Sequence, residues 1–207
     1  SGRFPRSPRR RSSEAPDASC AWSWTPKRWR DAASIPPKRW RGLDTMQLAA
    51  RVAEHVDYLR SLGLRVVLFV DGGGVGGGVV DRLRQLHYDP IEVQFGSKPD
   101  DQRKYANKRA EMWGAVKAWL PTGCLAKEEV MATDLTSVEY GFRPDDTILL
   151  ESKESMKKRG LPSPDWGDAL ACTFAEPVMP REVPGYLDMA NYGKASAADD
   201  LYSELDG

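Results

Sequence analysis

The sequence predicts an α/β fold in which helices flank a mixed, mostly parallel central sheet. Strand-like apolar runs alternate with segments of helical period between residues 43 and 176, and such alternation is typical of parallel sheets. The run LRVVLFV at 64–70 is rich in β-branched residues, as expected of a strand buried on both faces. A glycine-rich loop then joins this run to a helix, which favours a strand–loop–helix unit.

The individual elements follow from apolar periodicity and from capping residues. Pro164 suits the first turn of the last helix because a proline at that position loses no hydrogen bond. In chain order, the predicted elements are a helix capped by Asp44 or Thr45 and ended by Gly63, a strand at 64–70, a helix at 76–86, a strand at 91–95, a helix at 101–120, a short helix at 127–137, a strand at 147–152, a helical turn at 152–159, and a last helix capped by Ser163.

Composition divides the 207 residues into three segments. Residues 1–41 carry 11 Lys or Arg against 3 Asp or Glu, lack a sustained period, and are expected to be disordered or atypical in structure. Residues 42–176 form the predicted folded domain, and residues 177–207 a Pro-rich and then acidic tail. The basic segment, in which KRWR occurs at 27–30 and 38–41, either contacts nucleic-acid phosphates or is a solvated tail.

Several function classes are excluded by what the sequence lacks. No apolar run approaches the roughly 18 residues that a membrane span requires, so no membrane partner is expected. Cys20, Cys124 and Cys172 show no CxxC spacing, so neither a zinc site nor a disulfide framework is predicted. His55 and His87 are the only histidines and are predicted to lie away from the acidic residues, so serine or cysteine hydrolase chemistry lacks its base.

The glycine loop at 72–78 has two nucleotide-binding interpretations. A P-loop requires a Lys and a Ser or Thr after its last glycine, but valines follow here. A dinucleotide fingerprint is satisfied by Gly72, Gly74 and Gly77, with Glu92 placed 20 residues after Gly72 as the ribose-binding acid. A Rossmann-type nucleotide-binding module therefore stays open as an alternative.

A third interpretation of this segment makes the Asp71 carboxylate the functional group, as a metal ligand. Asp71 ends the predicted strand, and ligand sites of such sheets lie at the carboxyl ends of strands. Its carboxylate would repel a pyrophosphate, whereas the glycines beside it let a hydrated cation and an anionic polymer approach closely. Metal ligation and a simple turn cap are both open for this residue.

A second acidic cluster lies in SPDWGDAL at 163–170. Asp165 falls in the first helical turn, and Asp168 lies three residues later on the same face. They either interact favourably with the helix dipole or join Asp71 as oxygen ligands of Mg²⁺ or Mn²⁺. The basic residues just before this helix either form a solvated face or contact DNA phosphates, and they are Lys153, Lys157, Lys158 and Arg159.

Four blocks in the same order resemble the C-terminal nuclease domain of large terminase subunits from tailed bacteriophages. They are VVLFVDGGGVGGGVVDRLRQL, YANKRAEMW, LLESKESMKKRG and SPDWGDALACTFA, and the resemblance covers roughly residues 39–176. It implies an RNase H-like fold and cleavage of concatemeric double-stranded DNA during packaging. It also implies three carboxylates that hold two Mg²⁺ or Mn²⁺ ions, with Asp71 as the second acid, Asp165 as the third and Asp168 as an accompanying aspartate.

The chain departs from this pattern at the first acid, which belongs to a first strand. Asp17 is the nearest candidate, in the weakly strand-like segment 17–24. We expect residues 1–38 to be a truncated or frame-shifted start, and no P-loop motor motif is present. Absence of the first-strand aspartate would impair activity.

The expected function is therefore that of a two-metal-ion DNA endonuclease encoded by a phage or prophage and acting in the host bacterial cytoplasm. The portal and the small terminase subunit are the expected partners besides DNA. The alternatives are a junction resolvase or other RNase H-like nuclease, the Rossmann-type module, and a non-catalytic terminase remnant.

Overall fold

The computed structural model describes residues 37–178 and, for the backbone only, residues 20–21, 24–25 and 33–34. Asp17 and the tail beyond residue 178 lie outside the described residues. Four two-residue strands precede the helical part of the chain, and their bounds are β1 (Cys20–Ala21), β2 (Trp24–Thr25), β3 (Ala33–Ser34) and β4 (Lys38–Arg39). They form two antiparallel pairs, β1 with β4 and β2 with β3.

Helix α1 (Thr45–Ser61) begins with a capping box. The Asp44 carboxylate accepts a hydrogen bond from the Gln47 amide at 2.7 Å, and the Gln47 side chain accepts one from the Asp44 amide at 3.1 Å. Asp44 rather than Thr45 is therefore the cap. The helix ends at Ser61, and Gly63 turns the chain away with a φ of 77°, the left-handed conformation that glycine adopts without strain.

A β–α–β unit follows α1 and carries the glycine loop. Strand β5 (Leu68–Asp71) pairs in parallel with β6 (Pro90–Val93), and α2 (Gly76–Gln85) connects them. Helix α2 packs on α1, since Val79 and Leu83 share a buried apolar cluster with Ala49. Strand β5 starts at Leu68, later than the predicted residue 64. Asp71 is its last residue, so this aspartate lies at the carboxyl end of the strand as predicted.

The second half of the described chain contains four helices and one β-hairpin. Its elements are α3 (Lys108–Trp119), α4 (Glu129–Ser137), β7 (Tyr140–Phe142), β8 (Ile148–Leu150), α5 (Lys153–Lys158) and α6 (Asp165–Cys172). Helix α3 begins at residue 108, not at the predicted 101, because Asn107 accepts a hydrogen bond from the Ala110 amide and caps it there. The main core lies between α3, α4 and α6 and includes Met112, Met131 and Leu170.

The predicted continuous central sheet is not present among the described residues. These contain four separate two-stranded sheets, of which only β5–β6 is parallel, plus a single parallel bridge between Tyr105 and Ile148. Strand β8 corresponds to the strand predicted at 147–152, whereas β7 and the hairpin that it forms with β8 were not predicted. Its strand β7 is exposed, with Tyr140 54% and Phe142 67% exposed, whereas Leu150 of β8 packs against the main core. The mixed α/β class is confirmed, and no described helix is long and apolar enough to span a membrane.

Replacing Gly76 by alanine tests the tight turn between β5 and α2. A Cβ at Gly76 would lie 1.7 Å from the backbone oxygen of Asp71, whereas one at Gly96 would meet nothing within 4 Å. Overpacking typically costs 1–3 kcal/mol, so we expect Gly76→Ala to lower the free energy of unfolding in urea by about 3 kcal/mol. Gly96→Ala is the matched control, and equal effects of the two variants would contradict the packing.

Candidate active site

Asp71 places a half-buried carboxylate at the carboxyl end of β5. Its Oδ1 accepts a hydrogen bond from the Gly73 amide at 3.0 Å. Burial raises the pKa of Asp71 above its ordinary value, and the negative charge of Asp168 adds to this increase, while the Gly73 amide, Lys153 and Arg109 oppose it. Asp71 is therefore a partly desolvated acid surrounded by charged groups.

Asp168 is buried at the centre of a network of hydrogen-bond donors. Its Oδ1 accepts from Arg109 Nε and from Trp113 Nε1, both at 2.9 Å, and Lys153 Nζ lies 3.3 Å from its Oδ2. Arg109 also donates to the backbone oxygen of Glu151 at 2.9 Å. Because these partners come from α3, from the end of β8 and from α5, the network fixes α6 against all three.

Asp165 is the first residue of α6, and its side chain is 17% exposed. Its Oδ2 lies 3.5 Å from the guanidinium of Arg39, which brings β4 to the start of the helix. The predicted cap, Ser163, does not cap this helix, whose N-cap position is Pro164. Instead, Asp134 on α4 accepts hydrogen bonds from the amides of Trp166 and Gly167 at 2.8 and 3.1 Å.

Asp134 makes the start of α6 a cluster of three carboxylates. Burial raises the pKa of Asp134, the two amides that it accepts from oppose this, and the charges of Asp165 and Asp168 add to it. An acid held at a helix N-terminus is stabilised by the amides there. The cations Arg39, Arg109 and Lys153 offset part of the negative charge of this cluster.

The predicted acids fit a metal site only in part. Helix α6 packs against β5, so Asp71 and Asp168 lie within electrostatic reach of each other. Carboxylate oxygens suit Mg²⁺ or Mn²⁺, but nowhere in residues 37–178 do three or more His, Cys, Asp or Glu side chains form a group that could hold a metal ion. Both Asp168 oxygens face cationic donors, and Asp165 is paired with Arg39, so a metal ion bound by either carboxylate would have to compete with these cations.

The four predicted phosphate-binding residues separate into two kinds. Lys153 pairs with Asp168, and Arg159 donates to Glu151 at 2.9 Å and to the backbone oxygen of Ser137 at 2.8 Å. The hydrogen bond from Arg159 lowers the pKa of Glu151 to about 2, so this arginine holds the hairpin to α5. Lys157 and Lys158 are exposed on α5.

Two charged residues near the start of α6, Arg109 and Asp134, were not predicted from the sequence to be site residues. The signal was the same in both cases: a charged residue at a spacing that places it on the apolar face of a helix, beside Met112 and Met131 respectively. A buried charge of this kind requires a partner.

The glycine loop does not have the geometry of a dinucleotide site. Glu92, the predicted ribose-binding acid, pairs with Arg84 at 3.3 Å and accepts from Gln94 at 2.9 Å. The Gly73 amide, a potential phosphate donor, is bound by Asp71. A Cβ at Gly72 would lie 2.5 Å from Glu92, so this glycine is explained by packing.

Solved structures of terminase nucleases share this fold. The nuclease domain of the large terminase subunit gp2 of bacterial virus Sf6 matches with a TM-score of 0.59 at 18% identity, over 78% of this chain and 88% of that one. A mutant of that domain with manganese matches with a TM-score of 0.59 at 17% identity, over 77% and 88% of the two chains. The large terminase nuclease from thermophilic phage G20c gives 0.50 at 13% identity, over 78% and 83%.

The structural similarity shows a common fold, and the resemblance predicted from four sequence blocks is confirmed at that level. No protein-family model matches the sequence, and no curated protein is significantly similar to it.

Replacing Arg109 by methionine tests the network around Asp168. Removing one partner of a buried ion pair costs about 3–5 kcal/mol, because the other charge is left buried. We expect Arg109→Met to lower the free energy of unfolding in urea by about 3 kcal/mol. The control is Arg51→Met, which removes an exposed pair with Glu54 and should cost less than about 1 kcal/mol. Equal costs would contradict a structural role for the buried pair.

Replacing Asp71 by asparagine tests the desolvation of this acid. Because its pKa is raised in the folded protein, ionised Asp71 destabilises the fold above that pKa, and the effect disappears as the pH falls towards the ordinary value of 3.8. Asp71→Asn should therefore unfold at a higher urea concentration than the parent at neutral pH, with a smaller difference in acid. The exposed Asp81→Asn is the control, and a parent more stable than Asp71→Asn at neutral pH would refute the assignment.

Proposed function

We propose that this chain is the metal-dependent nuclease domain of a phage-type large terminase subunit, which hydrolyses phosphodiester bonds of double-stranded DNA during packaging. One observation carries the proposal. In a fold shared with terminase nucleases, Asp71 ends a parallel strand against the helix whose first turn carries Asp165 and Asp168.

We assign metal ligation to Asp71 and Asp165 and a positioning role to Asp168. A third acid, for which Asp17 is the sequence candidate, would complete the ligand set. Two Mg²⁺ or Mn²⁺ ions would neutralise the charge that develops on the phosphate and supply a hydroxide at neutral pH. Asp168 holds Arg109 and Lys153 beside Asp71.

The basic side chains have a separate task in this proposal. The Lys153 side chain is 39% exposed, so its ammonium group can reach a phosphate from beside Asp71. Lys157 and Lys158 follow on α5 and are exposed. Because lysines bind phosphates as mobile point charges, these two residues would hold the DNA backbone without reading its sequence. The portal and the small terminase subunit are the proposed protein partners, in the host cytoplasm.

Plasmid cleavage in Mg²⁺ or Mn²⁺ tests the endonuclease proposal. We expect the parent to nick and linearise the plasmid, and Asp71→Asn and Asp165→Asn to be slower by at least about 10²-fold, since even the outer partners of metal ligands cost 10–100-fold when removed. Asp81→Asn, an exposed aspartate on α2, is the matched control and should cleave like the parent.

The possible outcomes of this assay separate the proposal from its alternatives. Equal cleavage by all four proteins would indicate a contaminating nuclease. No cleavage by the parent at any Mn²⁺ concentration would favour a non-catalytic remnant. A strong preference for branched over linear DNA would favour a resolvase.

Replacing the two exposed lysines of α5 tests the phosphate contacts. Each lysine that contacts a phosphate contributes about 1 to the slope of log affinity against log salt concentration. We expect Lys157→Gln together with Lys158→Gln to reduce that slope by about 2 for a blunt DNA duplex in fluorescence anisotropy. The control is the double variant Lys98→Gln and Lys127→Gln, because these two lysines are exposed and lie outside α5. An unchanged slope in the α5 variant would remove these lysines from the DNA interface.

A further inference from the structure

A cleft outside the candidate active site lies between α1 and the segment before it. Its volume is about 380 Å³, within the range of about 300–1,000 Å³ that is common for small-molecule and cofactor sites. The lining residues are aromatic or charged and are Lys38, Trp40, Arg51, Glu54, His55 and Tyr58. None of them has a role in the proposed nuclease chemistry.

Aromatic rings form much of this cleft. The rings of His55 and Tyr58 stack with centroids 6.4 Å apart and an angle of 17° between their planes. Tyr58 is 41% exposed, and Trp40 adds a second large ring at the lining. Exposed aromatic faces beside cations are the platform on which unpaired nucleic-acid bases stack.

The charge of the cleft suits a polyanion. Arg51 and Glu54 pair at 2.9 Å and cancel each other. Lys38 Nζ lies 3.4 Å from His55 Nδ1 and 5.9 Å from the centre of the Tyr58 ring. Burial, and secondarily the charge of Lys38, lower the pKa of His55, so the histidine stays neutral and Lys38 supplies the net positive charge.

The cleft is coupled to the active site through β4. Side chains alternate between the two faces of a strand. Arg39 contacts Asp165 on α6, while its neighbours Lys38 and Trp40 line the cleft. A DNA strand bound in the cleft would therefore lie next to the proposed cleavage site, separated from it by β4 alone.

We propose that this cleft binds an unpaired nucleotide of single-stranded DNA, with the base against Tyr58 and Trp40 and its phosphate at Lys38. The composition of the preceding segment supports a nucleic acid over a protein partner. Residues 1–41 are strongly basic, and the KRWR word that supplies Lys38 and Trp40 also occurs at 27–30. This site goes beyond the proposed endonuclease activity and requires no metal ion.

Fluorescence anisotropy with a labelled oligo(dT) in EDTA tests the proposal. Stacking is a large part of single-strand affinity, so we expect Tyr58→Ala and Lys38→Gln each to weaken binding by about 10-fold. Tyr58→Phe keeps the ring and should bind like the parent. The matched controls are Tyr140→Ala and Lys117→Gln, which alter an exposed lysine-over-tyrosine pair outside the cleft, 5.3 Å from ammonium to ring centre, and should bind like the parent.

Three outcomes would overturn the proposal. The first is unchanged oligo(dT) affinity in both cleft variants. The second is an equal loss in the control variants, which would indicate diffuse contact with the surface. The third is an equal loss of affinity for a blunt duplex, which would indicate a general phosphate contact. Because EDTA removes metal chemistry, the result is independent of whether the chain cleaves DNA.

Discussion

The buried ion pair between Arg109 and Asp168 is the interaction on which the candidate site depends. Two charges removed from water are tolerated only when their hydrogen-bonding groups are satisfied. Here Trp113 and Lys153 complete the shell of Asp168, and the backbone oxygen of Glu151 binds the same guanidinium. Helix α6 is thereby held against α3 and α5, with its acidic first turn beside β5. The pair therefore acts with the core packing of α6 to hold Asp165 in place relative to Asp71.

A second constraint is steric: the chain passes so close to Asp71 that the loop after it requires glycines. Side chains at Gly72 or Gly76 would overlap Glu92 or the backbone of Asp71. The loop can therefore turn directly into α2 while the Asp71 carboxylate stays at the strand end, bound by the Gly73 amide. Glycines selected for a tight turn produce the same letter pattern as a dinucleotide fingerprint, which is why the pattern alone could not separate the two.

Local signals in the sequence predicted the local structure well. Capping at Asp44 and the strand–helix–strand unit through β6 follow from periodicity and from neighbouring residues, and they are confirmed. The contacts that build the site are long-range: Arg109 and Asp168 are 59 residues apart, and Asp134 caps a helix that starts more than 30 residues later. Contacts between residues so far apart in the chain produce no recognisable local pattern in the sequence. The strand predicted at 147–152 is present as β8, but its partner β7 was missed because it is three residues long and exposed throughout, so no alternation marks it.

The central claim is that Asp71 and Asp165, from separate elements, bind the same divalent-cation centre. Thermal unfolding with and without Mn²⁺ tests this directly, because a ligand that binds only the folded state raises the melting temperature. The account predicts a Mn²⁺-dependent increase in the parent and the loss of that increase in Asp71→Asn and in Asp165→Asn, with both variants folded in EDTA. An undiminished increase in either variant would contradict it.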